Sequence, residues 1–434
     1  MVQVSRAAEV PEPAARADAG AGANVLYLSF DGMTDPLGRS QVLPYLTGLT
    51  ELGHRIRIVS LEKADAFARD GANVRETCSR SGIGWSPLPY RQGLPILSAL
   101  LNLAALKRAS AAQHRAEPAD FVHCRSDLPA LAGLALKRRF GLPMLYDMRA
   151  FWADERVEGG AWPLSNPMYR AMSAYFKARQ RELLAQSDEM VTLSENGRRA
   201  IAEMKVRPPD QPVTVIPCCA DFELFAPPSE SGRQEARMAL GMTEDDPLLV
   251  HVGSIGSNCL LGEMLDFFRV YRERRPSARF LFVAPSGEKA IRAEAKRRGV
   301  EDALLVRSAR REDVPRWIGA ADLGIIFVRP GWAKRAASPT KLGEMLAVGL
   351  PVIANTGVGD VADVIEQSGA GVAIERFDEA AYRDAIDAVE RLGKSPEEIR
   401  QGARRWFDLG SGIELYDSIY RRMIRANAKR RESA

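Results

Sequence analysis

The chain has 434 residues, a hydrophobic content of 46% and a formal net charge of +4. This length suits two domains of ordinary size, and the small net charge argues against the concentrated basic face of a nucleic-acid-binding protein. The five cysteines are odd in number and form no CxxC pair, which argues against a disulfide framework or structural zinc site and indicates a reducing, cytoplasmic environment.

The first half of the chain alternates between apolar runs and helical patterns. Residues 1–22 are rich in Ala, Glu and Pro without an apolar core, so we expect a disordered leader rather than a signal peptide. Helical patterns at 42–52 and 168–185 separate strand-like segments. These segments are NVLYLSF, RIRIVSL, FVHC, PMLYDM, EMVTLS and VTVIP. Continuous apolar strands separated by helices predict a parallel sheet that is covered on both faces.

One helical segment, PILSALLNLAALKRAS at residues 95–110, is apolar on most sides and ends in Lys107 and Arg108. It is shorter than the ~20 residues that a membrane-spanning helix needs. The pattern favours a buried or groove-lining helix and leaves open a helix that lies against a membrane surface.

The alternation breaks near residues 218–232 and then restarts. The second series of strand-like runs is PLLVHVGS, ARFLFVAP, ALLVRS, ADLGIIFV, PVIAN and AGVAI. We therefore predict two Rossmann-like, doubly wound α/β domains, at residues 23–220 and 221–410. Residues 411–434 read as a terminal docked helix.

Ligands of open parallel sheets bind at the carboxyl ends of the strands, so the loops after the apolar runs are the candidate sites. The first such loop contains Gly32 and Gly38, and the loop that opens the second series contains Gly253 and Gly256. The segment RAFWADERVEGGAW follows the run PMLYDM and carries several charges. Each loop also has a plainer explanation, namely a tight turn for the glycines and a surface salt-bridge cluster for the charges.

The stretch SPTKLGEMLA begins with a helix-start pattern that contains an unexpected cation. Ser338 suits the N-cap and Pro339 the first helical position, but the third position is Lys341, where a helix terminus is already electropositive. One explanation is a phosphate bound by the Lys341 ammonium and the backbone N–H groups of Thr340 and Lys341. The other is a local mismatch, with Lys341 in solvent or paired with Glu344.

Three segments resemble a known family. LSFDGMTDPLGRSQVLPYLTGLTELGHRIRIVS resembles the N-terminal signature of family 4 retaining glycosyltransferases of the GT-B fold, and SPTKLGEMLAVGLPVIANTGVGDVADVI resembles their nucleotide-sugar donor motif. YDMRAFWADERVEGGAW is similar to a segment of bacterial members that build surface polysaccharides. The resemblance spans about residues 24–425. It implies two Rossmann-like domains facing across a cleft, with the last helix crossing back to the first domain.

The resemblance also implies an activity. A sugar would be transferred from a UDP- or GDP-linked donor, with retention of configuration and without a metal or other cofactor. The acceptor would be a cell-surface polysaccharide or a lipid-linked glycan precursor, reached in the cytoplasm or at the inner face of the plasma membrane. The chain contains no DxD motif, unlike the metal-dependent GT-A type.

In the second domain the sequence departs from the family pattern at three positions. The first of two family glutamates falls on Ala336, and an Arg and a Lys of the family are replaced by Ser254 and Cys259. Because the departing diphosphate needs a cation, we expect Lys341 to take that role. The second glutamate, Glu344, is expected to bind the donor ribose.

The residues that the resemblance and the loops assign are these. The catalytic candidates are Lys341, Arg125 and Arg149; the donor-binding candidates are Gly38, Gly253, Ser254, Ser338, Pro339, Thr340, Lys341, Glu344 and Gly359; the acceptor-side candidates are Asp31, Arg149 and Glu155. We expect His123 to be structural and Arg125 to contact the sugar or a phosphate. No nucleophile is identified, and Asp31, Asp35 and Glu155 remain candidates for the catalytic base.

Two other functions remain open from the sequence. A non-hydrolysing sugar-nucleotide epimerase shares the two-domain fold, and a catalytically silent nucleotide-sugar-binding partner would explain the replaced residues. An NAD-linked dehydrogenase is disfavoured, because no GxGxxG follows a strand.

Overall fold

The computed structural model describes residues 22–93 and 95–432. The expected leader at residues 1–22 therefore lies outside the described residues, apart from Gly22. Within the described part of the chain, no helix is long and apolar enough to cross a bilayer.

Seven strands form the first sheet, and all neighbouring strands are parallel. The strands are β1 (Asn24–Ser29), β2 (Arg55–Glu62), β3 (Gly84–Pro89), β4 (Phe121–Arg125), β5 (Met144–Asp147), β6 (Glu189–Thr192) and β7 (Val213–Val215). Their order is β3-β2-β1-β4-β5-β6-β7. Strand β3 is absent from the predicted runs because its sequence, GWSPLP, contains two prolines and is only half-buried, as expected of an edge strand.

Six parallel strands form the second sheet. They are β8 (Leu248–Val252), β9 (Arg279–Val283), β10 (Leu304–Arg307), β11 (Leu323–Ile326), β12 (Val352–Asn355) and β13 (Gly371–Ile374). Their order is β10-β9-β8-β11-β12-β13. In both sheets the order reverses beside the first strand, which creates the crevice where such folds bind ligands. The predicted pair of Rossmann-like parallel sheets is confirmed.

Helices cover both faces of the two sheets. They are α1 (Pro36–Gln41), α2 (Leu43–Glu51), α3 (Ala64–Arg80), α4 (Pro95–Ala116), α5 (Asp127–Phe140), α6 (Trp152–Glu158), α7 (Pro167–Gln186), α8 (Glu195–Glu203), α9 (Glu230–Met238), α10 (Leu261–Arg274), α11 (Glu288–Arg297), α12 (Val314–Gly319), α13 (Thr340–Ala347), α14 (Val361–Ser368), α15 (Glu379–Glu390), α16 (Pro396–Phe407) and α17 (Leu409–Glu432). Short 3₁₀ turns lie at Glu301–Ala303, Arg311–Asp313 and Ala333–Ala336.

The core explains why the strands are apolar throughout. Val25 and Tyr27 of β1 pack in the same cluster as residues of α2 and α17, whereas Leu26 and Leu28 pack with α5 on the other face. In the second sheet, Leu248 and Val250 of β8 likewise pack in one cluster and Leu249 in another. Each sheet is thus buried on both sides, as the apolar runs predict.

The terminal helix α17 lies against the first sheet. The Tyr420 hydroxyl is 2.8 Å from His123 Nδ1, and Asp417 is 2.7 Å from His54 Nε2. Arg422 forms a bidentate pair with Glu189, with both N–O distances 3.0 Å. The last helix of the chain is therefore fixed to its first domain by buried and charge-assisted hydrogen bonds.

Candidate functional site

The carboxyl ends of the two sheets face each other and are joined by side chains. Glu155, on α6 after β5, forms an ion pair with Lys334 and accepts a hydrogen bond from Asn258 Nδ2 at 3.1 Å. The Glu158 carboxylate accepts the backbone N–H of Ala333 at 3.1 and 3.2 Å. Glu155, an expected acceptor-side residue, thus connects the first domain to two loops of the second.

The helix that carries Lys341 begins later than predicted. Pro339 is the N-cap and Thr340 the first helical residue, so Lys341 is at the second position. The predicted N-cap, Ser338, is wrong: its hydroxyl accepts the backbone N–H of Cys218 at 3.1 Å, from the segment that joins the domains. That partner is 120 residues away in sequence, and the local pattern gave no sign of it.

Lys341 contacts a histidine instead of a carboxylate. Its Nζ is 3.3 Å from His251 Nε2, and His251 Nδ1 is 2.9 Å from the Ile325 carbonyl. The carbonyl can only accept, so Nδ1 carries the proton and Nε2 accepts from the ammonium. Burial, and then the charge of Lys341, hold the pKa of His251 well below its usual value, so that the imidazole stays neutral.

The ammonium of Lys341 has no carboxylate within salt-bridge distance among the described residues. Burial lowers its pKa. Gly253 leaves room for the ammonium, because a Cβ at that position would lie only 3.2 Å from Lys341 Nζ. The φ of Gly253 is 111°, which also favours glycine there. Ser254, at the family Arg position, follows directly in this loop. A partly buried cation without a counter-charge, beside a helix N-terminus, is suited to an anionic ligand.

Glu344 is paired with Arg311, and the alternative pairing with Lys341 is not observed. Glu344 Oε1 is 2.9 Å from Arg311 Nη1, and the Arg311 guanidinium lies over the Phe225 ring at 5.2 Å. Burial raises the pKa of Glu344, while Arg311 opposes the shift. Arg311 was not predicted, although its basic segment RSARRED lies at the carboxyl end of β10, where ligands are expected.

In the first domain a buried carboxylate, Asp147, brings the two predicted arginines together. Its Oδ1 is 3.2 Å from Arg149 Nη1, and its Oδ2 is 3.8 Å from Arg125 Nη1 and 3.6 Å from His123 Nε2. Burial alone would raise the pKa of Asp147, but Arg149, His123 and Arg125 outweigh it and hold the pKa far below its usual range. Asp31 adds a half-exposed carboxylate 3.4 Å from Arg125 Nε.

Asp147 could have been found from the sequence, because it lies at the carboxyl end of β5, within the strand-like run PMLYDM. His123 is buried, and burial lowers its pKa. Its ring nitrogens face the Tyr420 hydroxyl and Asp147, an arrangement in keeping with the structural role expected of it. Arg149 Nη2 also lies 3.3 Å from Cys218 Sγ.

The first glycine loop is held by Glu62, a buried residue that sequence reasoning missed. Its carboxylate accepts the backbone N–H of Met33 at 2.8 Å, the N–H of Thr34 at 3.1 Å and the Thr34 hydroxyl at 2.6 Å. A Cβ on Gly38 would lie 2.2 Å from the Gly32 carbonyl oxygen. The structure therefore accounts for Gly38 by the loop's own packing. Asp35 is paired with Lys63 at 2.9 Å.

The loop NTGVGD is bound to a helix of the other domain. Asp360 accepts the backbone N–H groups of Glu195 and Asn196, at the start of α8, at 2.6 and 3.0 Å. Gly359 has φ 46°, and a Cβ there would lie 1.8 Å from the Ala337 carbonyl oxygen. Gly359 is therefore part of the packed domain junction next to Ser338, Pro339 and Thr340. Within the described residues, no group of three or more His, Cys, Asp or Glu side chains could hold a metal.

Two parallel Rossmann-like sheets whose carboxyl ends face each other define a GT-B protein. Residues 39–219 match the family model described as "Glycosyl transferase 4-like domain", and residues 232–406 match "Glycosyl transferases group 1". The chain belongs to this family, the family 4 glycosyltransferases of the GT-B fold.

Similar proteins are distant in sequence. The D-inositol 3-phosphate glycosyltransferase of Thermomonospora curvata is 25% identical over 300 residues, which cover 66% of this chain and 67% of that protein. Sucrose-phosphate synthase from Thermosynechococcus elongatus shares the fold with a TM-score of 0.69 at 16% identity, over 93% of this chain and 100% of that chain. Anabaena Alr3699/HepE in complex with UDP and glucose has a TM-score of 0.67 at 14% identity, over 92% and 99% of the two chains.

Proposed function

We propose that the protein is a retaining, metal-independent glycosyltransferase of the hexosyltransferase type. It uses a UDP- or GDP-linked sugar and a hydroxyl acceptor on a cell-surface polysaccharide or lipid-linked glycan precursor. One observation carries the proposal. The ammonium of Lys341 lies partly buried at a helix N-terminus, packed against Gly253, with a neutral histidine as its partner and no carboxylate partner among the described residues.

The donor diphosphate would bind at this ammonium. Thr340 and Lys341 are in the first turn of α13, where backbone N–H groups have no acceptor within the helix. These N–H groups and the ammonium offer charge and hydrogen bonds to the same phosphate oxygens. Glu344, which is paired with Arg311, lies one turn further along α13 and would accept hydrogen bonds from the ribose hydroxyls.

The transfer step needs stabilisation of the leaving group above all. The acceptor oxygen forms a bond to the anomeric carbon on the same face from which the diphosphate leaves. The electron pair of the broken C–O bond remains on the diphosphate, and the acceptor proton passes to a phosphate oxygen. Lys341 stabilises the growing negative charge on the diphosphate, so it acts more strongly in the transition state than in the ground state. Arg125 and Arg149, fixed by Asp147, would position the sugar and the acceptor.

The acceptor class rests on resemblance and on the names of relatives. The segment YDMRAFWADERVEGGAW is similar to one in bacterial enzymes that build surface polysaccharides. The relative in Thermomonospora curvata is named for a phosphorylated cyclitol acceptor, and the Anabaena structure contains UDP and glucose. A lipid-linked acceptor would place the enzyme in the cytoplasm at the inner face of the plasma membrane.

Donor binding and product analysis test the proposal together. Thermal shift against UDP, GDP and their sugars should select one nucleotide, since ligand at about 100 times its dissociation constant stabilises a protein by ~2.7 kcal/mol. The selected donor is then incubated with a membrane extract, and the linkage is read by NMR. A new glycoside with the donor's anomeric configuration would support the proposal. Isomerisation of the donor without an acceptor would identify an epimerase, and binding without turnover a silent partner.

A further inference from the structure

Three neighbouring helices of the first domain, α4, α5 and α7, concentrate positive charge far beyond the rest of the chain. They carry ten Lys or Arg and two Asp or Glu residues, a net charge of +8, whereas the whole chain has a net charge of +4. One of the two acidic residues, Asp127, is buried and does not offset charge at the surface. Two of the cations, Lys137 and Lys177, are paired with Asp188 and Asp154 outside these helices, so the face keeps a smaller but still positive charge. The helices α4 and α5, and α5 and α7, pack side by side. We call their outer surface the basic face.

A groove of about 450 Å³ runs across the basic face. Its lining combines apolar side chains, such as Leu103 and Tyr175, with the cations Lys107, Arg138, Arg139 and Arg179. The one acidic residue of the lining, Glu182, is paired with Arg138 and Arg179. Among the described residues, Lys107 and Arg139 have no carboxylate partner. The groove therefore retains positive charge that suits a phosphate group.

Large apolar side chains are exposed at one end of the basic face. Leu97 and Leu100 in the first turns of α4 are 54% and 59% exposed, and Met168 at the start of α7 is 47% exposed. In a parallel α/β sheet the helices run opposite to the strands, so their first turns lie at the carboxyl edge. That edge carries Arg125 and Arg149. The exposed apolar residues are thus at the rim closest to the proposed acceptor side.

We propose that the basic face docks on an anionic lipid bilayer. Leu97, Leu100 and Met168 would enter the headgroup region, and Lys107 and Arg139 would bind lipid phosphates in the groove. Apolar side chains beside a basic surface are the combination that holds a protein at an anionic interface. Docking by this face would turn the mouth of the cleft toward lipid-linked molecules. The inference deepens the proposed function and rests on it only for the identity of the acceptor.

Co-sedimentation of the full chain with vesicles tests the docking without donor or acceptor. One set of vesicles is phosphatidylcholine alone, and the other contains three parts phosphatidylcholine to one part phosphatidylglycerol. We expect binding to the anionic set only, falling as salt is raised. Because a cation near the surface contributes about fivefold in partitioning, Lys107→Gln with Arg139→Gln should weaken binding about 25-fold. Leu97→Ser with Leu100→Ser should abolish pelleting.

Control variants keep the test specific. Met238→Ser removes a 67% exposed apolar side chain from the second domain, and Lys289→Gln removes an exposed cation there; neither should change vesicle binding. The thermal shift with the selected nucleotide shows that each variant is folded and keeps its donor site. Equal binding to both vesicle sets, absence of binding, or wild-type pelleting by the Lys107/Arg139 variant would overturn the inference. Self-association of the wild type that disappears in the Leu97→Ser, Leu100→Ser variant would also overturn the inference, because the face would then be an interface between two copies of the chain. Normal vesicle binding by a protein that lacks transferase activity would refute the proposed function alone.

Discussion

Removal of the Lys341 ammonium separates an anion site from a local mismatch. Lys341→Ala deletes a charge-assisted donor, which contributes ~1.5–3 kcal/mol to binding of a phosphate, or about 10- to 150-fold in dissociation constant. The turnover rate should fall further, because negative charge on the diphosphate grows as the sugar leaves. Donor affinity is measured by calorimetry and turnover by nucleotide release.

The melting temperature distinguishes this effect from structural damage. The ammonium lies 3.3 Å from a neutral imidazole and has no carboxylate partner in the described chain, so its removal deletes no ion pair. Stability of the unliganded protein should therefore not fall. Burial lowers the pKa of Lys341, so the folded state holds its proton less tightly than the unfolded state. Relative to Lys341→Met, which replaces the ammonium by an uncharged side chain, the free energy of unfolding of the wild type should rise as the pH increases from the folded pKa of Lys341 toward the unfolded one.

The control is Lys289→Ala, which removes an exposed lysine of the same domain and should leave affinity and turnover unchanged. Near-normal kinetics for Lys341→Ala would refute the reasoning, and the cation at the start of α13 would then be a local mismatch.

Four further changes have defined outcomes. Glu344→Gln should raise the donor KM and leave kcat near the wild-type value, because ribose contacts change little between ground and transition states; an equal fall in kcat would contradict this. His251→Phe removes the hydrogen-bond acceptor of the Lys341 ammonium, so Lys341 should lose its proton at a lower pH. The pH above which donor binding weakens, followed by calorimetry, should therefore fall. An unchanged value would show that the imidazole does not position the ammonium. Asp147→Asn should lower the free energy of unfolding, measured by chemical denaturation, by about 3 kcal/mol, because it leaves Arg125 and Arg149 without their buried counter-charge. Since folding depresses the pKa of Asp147, the loss of unfolding free energy should be complete above the unfolded pKa and should disappear as the pH falls through the folded pKa. A loss that does not depend on pH would refute this reasoning. EDTA should leave transfer unchanged, and activity lost with EDTA and restored by magnesium or manganese would show that the reaction depends on a metal.

The fold could be predicted because each strand is specified by the hydrophobic pattern of its own residues. A strand buried on both faces needs an unbroken apolar run, and five of the seven strands in the first sheet are fully or almost fully buried. The edge strand β3 has neither property, since GWSPLP is half-buried and rich in proline. Its absence from the prediction follows from the lack of an apolar run, because the other edge strand, β7, is also half-buried but was predicted from its apolar run VTVIP.

Sequence reasoning selected a candidate site residue where that residue breaks a local rule, and it missed contacts whose partners are distant in sequence. Lys341 was conspicuous because a cation is unfavourable at a helix start, but its acceptor, His251, is 90 residues away. Ser338 has the residue type of an N-cap, yet its hydroxyl accepts from Cys218, on the segment that joins the domains. Glu62 gave no signal at all, because an acidic residue at the end of a strand has no visible partner until the glycine loop folds over it.

The position of the Lys341 ammonium bears on whether the chain is active or a silent binder. The family lysine position is occupied by Cys259, whose sulfur is 4.0 Å from His251 Nε2, the same nitrogen that accepts from Lys341 at 3.3 Å. The Lys341 ammonium therefore lies close to Cys259, the position at which the family usually has a lysine. Among the described residues, Arg311 is matched by Glu344, whereas Lys341, next to the Gly253 loop, has no carboxylate partner. A chain that had lost catalysis would have no need to keep a cation with a desolvation cost at this position. This arrangement supports a relocated phosphate-binding cation, and with it a working transferase.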